Sequence, residues 1–243
     1  MSDLKEKFLL PKGIMFDLDD TITTFNSVVV PTWKEVCQIY ANRYDMLDDD
    51  ELFKNIRETA NWFWSDKKRH KEGRLNIENT RRKILEITFK KLEINNNSLA
   101  YEIADMYSKK RVEAIDFFPG AEDTLKYLTQ QNVALALVTN GQSETQRAKI
   151  QRFRLERFFS SILVEGEMGY GKPNEAVFLR ALDKQNLKPE SVWFVGDNLE
   201  WDVEGPQKLG IFGIWNDYAK KGLPPSSKII PDRIITNISE LVK

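Results

Sequence analysis

Apolar positions along this chain follow two different periods, and the period changes twice. Near the start, Gly13-Ile14-Met15-Phe16 is a short unbroken apolar run, the pattern of a strand buried on both faces. From about Asn26 to Ile115 the apolar residues recur three and four apart instead. Trp33, Val36, Cys37 and Tyr40 form one such stripe, and Leu52, Ile56, Ala60 and Phe63 a second. Ile84, Leu85, Thr88, Phe89 and Leu92 form a third, followed by Ile103, Met106 and Tyr107. The spacing predicts an all-helical lobe of about four helices. Asp48-Asp49-Asp50 suits the start of the second helix, and Asn95-Asn96-Asn97-Ser98 reads as a turn with Ser98 as N-cap.

Beyond Phe117-Phe118-Pro119-Gly120 strand and helix patterns alternate. Helices are predicted at Ala121 to Gln131, Ser143 to Phe153, Pro173 to Gln185 and Asp202 to Leu209, the last stopped by Gly210. Strands are predicted at Val133 to Thr139, Ser160 to Val164 and Val192 to Val195. Phe212 to Trp215 and Arg233 to Ile235 are further strands on either side of a Lys/Gly/Pro-rich stretch. One strand therefore precedes the helical lobe and the others follow it. The economical fold is an α/β parallel-sheet core, residues 1–24 and 116–243, with a helical domain, residues 25–115, inserted as a cap over the carboxyl edge of the sheet.

Composition narrows the class. A chain of 243 residues, 41% hydrophobic, can bury a substantial core. With 36 basic against 37 acidic residues there is no global basic field of the kind that binds a nucleic-acid polymer. Cys37 is the single cysteine, so no internal disulfide forms; within its helical stripe it reads as core. Phe8-Leu9-Leu10 is too short for a signal peptide, and no apolar stretch reaches membrane-spanning length. A cytoplasmic location and no membrane partner are expected.

The candidate chemistry lies where the apolar strands end. Asp17 and Asp19 follow the first strand, and in extended backbone their side chains leave one face. Three other segments end or follow strands: Thr139-Asn140, Lys172-Pro173 and Gly196-Asp197-Asn198-Leu199-Glu200-Trp201-Asp202. Singly each has a plain explanation: a turn, an N1 proline, a helix N-cap. Together they supply what phosphoryl transfer needs. Asp17 is a carboxylate nucleophile and Asp19 a general acid/base. Mg²⁺ takes oxygen ligands, for which Asp17 and Asp197, the backbone carbonyl of Asp19, and Asp202 directly or through water are candidates. Thr139 and Lys172 offer a hydroxyl and a cation to phosphoryl oxygens, and the backbone N–H groups of Asn140 and Gly141 add donors. A basic stretch, Lys67 to Arg74, holds the only histidine, His70. It reads as a loop, either solvated or attracting an anionic substrate.

With these residues in place, the chain resembles the haloacid dehalogenase (HAD) superfamily, in the branch with a helical cap after the first motif. D-x-D-x-T at Asp17–Thr21, the strand ending in Thr139, Lys172-Pro173 and G-D-x-x-x-x-D at Gly196–Asp202 match its four motifs in order. The resemblance implies a Rossmann-like sheet, Mg²⁺ dependence and an aspartyl-phosphate intermediate. It implies a phosphatase of a small phosphorylated metabolite, such as a sugar phosphate, a phosphoglycolate-like acid or a nucleoside monophosphate; a monomer or homodimer is expected. A phosphotransferase and a non-catalytic binding protein on the same scaffold are alternatives; Asp19 argues against a dehalogenase. Pro206 departs from the small residue usual in the helix after the fourth motif.

Overall fold

The structure, a computed structural model, describes residues 10–242. Most of the run Phe8-Leu9-Leu10 lies outside those residues. Contacts divide the chain into two compact units. The first comprises Met1–Ile22, Phe117–Asn140 and Gln146–Lys243; the second comprises Thr23–Asp116 with Gly141–Thr145. Thr24 and Asp116 mark the two crossings into the helical unit and are tied together. The Thr24 N–H and hydroxyl donate to the Asp116 carbonyl (2.8 and 3.1 Å), and the Asp116 N–H donates to the Thr24 hydroxyl (3.0 Å).

The first unit is built on strands β1 (Gly13–Phe16), β2 (Ala134–Thr139), β3 (Ser161–Val164), β4 (Val192–Gly196), β5 (Phe212–Asn216) and β6 (Arg233–Ile235). They form one sheet in the order β3-β2-β1-β4-β5-β6, every pair parallel. A parallel sheet is covered on both faces, which is why its central strands read as continuous apolar runs. β1 lies between β2 and β4, with Phe16 level with Leu137 and Val195. The chain builds outward on one side of β1 and then crosses to the other. The carboxyl ends of β1 and its neighbours thus meet at the point where strand order reverses, where open α/β sheets bind their ligands.

The helical unit holds α1 (Val29–Ala41), α2 (Asp49–Ser65), α3 (Lys67–Arg74), α4 (Ile77–Lys91) and α5 (Asn97–Ala114). Its core gathers the predicted stripes, including Trp33, Val36, Cys37, Tyr40, Leu52, Ile56, Phe63, Leu85, Phe89, Ile103 and Tyr107. Burial, reinforced by Asp49, pushes the Cys37 thiol up to about 12, the environment of an inert core cysteine. Two local expectations need correction. The basic stretch from Lys67 is a helix, not a loop, because Asp66 caps it by accepting from the Arg69 N–H (2.8 Å). The N-cap of α5 is Asn96, accepting from the Leu99 N–H (3.1 Å), so Ser98 is already inside the helix.

Around the sheet lie α6 (Ala121–Gln130), α7 (Ser143–Arg152), α8 (Glu165–Met168) and α9 (Glu175–Gln185). Helix α9 starts later than expected: Asn174 is its N-cap, accepting from the Ala176 N–H, and Pro173 is outside it rather than at its first position. The segment after β4 also differs. It winds as a π-helical turn at Leu199–Glu204 before a short helix α10 (Gly205–Gln207), and Asn198, not Asp202, caps it. Pro206 has no N–H to offer the carbonyl of Asp202, and its ring would crowd that oxygen in an α-helix. The wider turn relieves both. Among the described residues no helix is long and apolar enough to cross a membrane.

One face of the sheet packs on α9. Met15, Ala136, Val138 and Phe194 meet Val177, Phe178, Ala181 and Leu182. Phe178 is fully buried, edge-on to Phe194 with ring centroids 5.4 Å apart. Phe178→Ala removes this side chain from beneath β4, and the expected cost is about 3–5 kcal/mol. Urea denaturation of the intact chain checks it; a loss below about 1 kcal/mol would mean that the helix–sheet face is not tightly packed.

Candidate active site

Asp17 follows β1 directly and stays tied to the sheet, its N–H donating to the Val195 carbonyl (2.9 Å). Its side chain is met by Lys172, whose Nζ lies 2.6 Å from Asp17 Oδ1 and 2.6 Å from Asp202 Oδ1. Lys172 and Asp202 are almost wholly buried, with side chains 1% and 2% exposed. The other Asp202 oxygen accepts from the Asn198 N–H (3.0 Å), so the residue clasps the turn after β4 as well as the lysine. Gly196 makes room for it, since a Cβ there would overlap the Asp202 carboxyl group. Asp197 is half-buried, and its carbonyl accepts from the Trp215 indole N–H (2.8 Å).

Carboxylate oxygens of Asp17, Asp197 and Asp202 all lie within 4.8 Å of one another. At that spacing two negative charges repel by roughly 3–4 kcal/mol at an effective dielectric constant of about 20. Burial, partly opposed by Lys172 and assisted by Asp202 and Asp19, raises Asp17 to about 7. Burial and the Asp17, Asp202 and Asp20 carboxylates push Asp197 well above the ordinary range. Burial works against the Lys172 ammonium, but Asp17 and Asp202 outweigh it and hold it charged. When all three are ionised, these carboxylates face one ammonium and leave two negative charges uncompensated. An all-oxygen donor set with that deficit fits a hard divalent cation.

Asp19 is placed apart from this cluster. The extended backbone ends at Phe16, and the two aspartates reach different lysines. Lys149 Nζ lies 2.6 and 2.5 Å from the two Asp19 oxygens, and the Gln146 side-chain amide donates to Asp19 Oδ2 at 3.2 Å. The same amide donates to the Thr139 hydroxyl at 2.5 Å. With an acceptor position of its oxygen occupied, the Thr139 hydroxyl proton is directed elsewhere, as a donor. Gln146 and Lys149, both nearly buried, are functional candidates that the sequence reading missed. The available signal was their spacing: three apart on the helix after Thr139, they share a face with the core residue Ile150.

Asn140 also acts through its side chain. Its side chain pairs with the Lys172 backbone in both directions, Nδ2 donating to the carbonyl and Oδ1 accepting the N–H, each at 2.8 Å. That pair fixes the loop carrying Lys172 to the end of β2. Gly141, the next residue, groups with the helical unit, where the Gln142 N–H donates to the Arg74 carbonyl (3.2 Å). In α3, Arg69 is already engaged: it donates to the carbonyls of Phe63 and Trp62 and stacks 4.1 Å from the Trp62 ring centroid. His70 sits against Trp64 and 3.3 Å from Arg74. Both belong to the helical unit's own packing.

Comparison with known proteins agrees with this arrangement. The chain is 27% identical to the glyceraldehyde 3-phosphate phosphatase of Pyrococcus furiosus over 96% of its own length and 92% of the relative's. It is 34% identical to the phosphoserine phosphatase of Thermus thermophilus, over 58% of this chain and 56% of that protein. It is 30% identical to the rat N-acylneuraminate-9-phosphatase, over 60% and 59%. Among solved structures, the HAD-hydrolase YfnB of Bacillus subtilis bound to magnesium shares the fold, with a TM-score of 0.69 at 24% identity, covering 96% and 97% of the two chains. The haloacid dehalogenase-like hydrolase family matches residues 11–210, a span that contains every acidic and basic group assembled above. The chain belongs to that family and is a hydrolase of the haloacid dehalogenase type.

Proposed function

We propose that the protein is a Mg²⁺-dependent phosphatase of a small phosphomonoester, working through an aspartyl-phosphate. The observation that carries the reading is Asp17 at the carboxyl end of the central strand, against Lys172 and within an acidic cluster, with Asp19 two residues on. The named phosphatases among its relatives support it. Asp17, Asp197 and the Asp19 carbonyl would hold Mg²⁺, with Asp202 acting through water; when bound, the ion would offset charge on the phosphoryl oxygens.

An Asp17 oxygen attacks phosphorus while the ester P–O bond breaks, and Asp19 gives its proton to the departing alkoxide. Water then attacks the phosphoaspartate, Asp19 takes a proton from that water, and the bond to Asp17 breaks to release inorganic phosphate. Lys172 holds Asp17 in line and meets charge on the phosphoryl group, and the Thr139 hydroxyl donates to a phosphoryl oxygen. The substrate is a small phosphorylated metabolite, and the proposed location is the cytoplasm.

Screening phosphorylated metabolites for phosphate release, with Mg²⁺ and with chelator, tests this reading. Asp17→Asn should bring turnover to background, because an amide cannot form the acyl phosphate. Near-normal turnover in that variant would overturn the assignment. A second variant probes the Asp19 support. Lys149→Met frees the Asp19 carboxylate, so alkyl phosphates, which need a proton on the leaving oxygen, should lose about 10- to 100-fold in kcat/KM. A 4-nitrophenyl ester, with a better leaving group, should lose much less, and Lys149→Arg should recover part of the difference. Equal losses for both esters would make Lys149 a purely structural residue.

A further inference from the structure

Two arginines of the helical unit are buried with no ion pair among the described residues. Arg81, in the second turn of α4, is 9% exposed, and Arg111, in the last turn of α5, is 7% exposed. Buried guanidinium groups are ordinarily paired with carboxylates. Neither of these is ion-paired among the described residues. Arg82 makes the contrast: 40% exposed, it grips Asp105 with two bonds of 2.9 and 2.7 Å.

What surrounds the pair is aromatic. Arg81 lies 5.3 Å and Arg111 5.9 Å from the ring centroid of Tyr107, whose ring stacks on Trp33 at 3.6 Å. Arg111 also lies 3.8 Å from the centroid of Phe25. Its polar contact is a long one to the Phe25 carbonyl, 3.5 Å, and its Nε is buried with no acceptor. The carboxylate whose field reaches Arg81 belongs to Glu78, which is exposed, and the α5 C-terminus offers Arg111 only a partial negative charge. Aromatic faces stabilise cations but leave the N–H forks unfilled. Burial and the neighbouring Arg111 depress Arg81 to about 10, the response of a cation that lacks its anion.

We infer that Arg81 and Arg111, backed by Tyr107 and Phe25, form a binding site for an oxyanion, a carboxylate or phosphate group, within the helical unit. Two planar forks against aromatic walls suit such a group, which would take up the open donors and end the repulsion between the arginines. The anion is either a second charged group on the substrate or a separate small molecule, and the chemistry of recognition is the same.

The test follows the arginine Nε–Hε NMR signals of the intact protein during titration with succinate and with inorganic phosphate at constant ionic strength. Arg81→Lys and Arg111→Lys variants assign the two signals. Both should move together and saturate. In Arg81→Lys, which keeps the charge but loses the fork, at least tenfold more anion should be needed to move Arg111. Signals that stay still with both anions would overturn the site, and the wild-type titration decides this even if a variant fails to fold. Asp17→Asn should respond like wild type, so failure of this site is visible apart from failure of the phosphatase reading. Kinetics then separate the sources. A tenfold lower kcat/KM in Arg81→Lys, confined to phosphomonoesters that carry a carboxylate, assigns the anion to the substrate. Unchanged kinetics beside a saturating NMR shift assign it to a separate molecule.

Discussion

The arrangement depends on one buried ammonium group. Lys172 bridges Asp17 and Asp202 at 2.6 Å each, in surroundings that leave its side chain almost no solvent. Taking one ammonium and two carboxylates out of water is expensive, and such a triad is retained only where its geometry is well supported. Support comes from three directions here. Asn140 pins the Lys172 backbone from the end of β2, the Asn198 N–H pins Asp202, and the sheet holds Asp17 through Val195. Asp197 adds a third carboxylate to a cluster that one lysine does not neutralise. The site is therefore preorganised and short of positive charge, a condition that suits a divalent cation.

Much of this is legible in the sequence because the sheet separates signal from background. Strands buried on both faces leave unbroken apolar runs, so the polar residue after each run stands out. Asp17, Thr139 and Asp197 are visible for that reason, and Lys172 and Asp202 for their place in the order. Boundaries set by local hydrogen bonds are less legible. Asn96 and Ser98 are both competent caps, and only the chain's path selects Asn96. The stretch after Asp66 is so polar that it carries no helical stripe, yet one capping bond starts a helix there. Pro206 is visible, but the sequence pattern around it does not distinguish an α-helical turn from the π-helical one that the chain adopts.

Hidden polar residues are the hardest to read. Gln146, Lys149, Arg81 and Arg111 belong to types normally found in solvent, and the sole hint in the sequence is the spacing of Gln146 and Lys149 beside Ile150. Only the fold shows that they are buried. It also separates them by role: Gln146 and Lys149 meet Thr139 and Asp19, whereas Arg81 and Arg111 meet aromatic rings. The same unusual burial thus marks a completed network in the α/β unit and an open one in the helical unit.

The charge deficit around Asp17 is the point on which the chemistry turns, and metal binding reads it without turnover. Calorimetric titration of the intact protein with Mg²⁺, wild type beside Asp197→Ala, measures it directly. Saturable binding in the wild type, at least roughly tenfold weaker in the variant, is the predicted result. No saturable binding in the wild type, or identical isotherms for the two proteins, would contradict a cation held among these carboxylates.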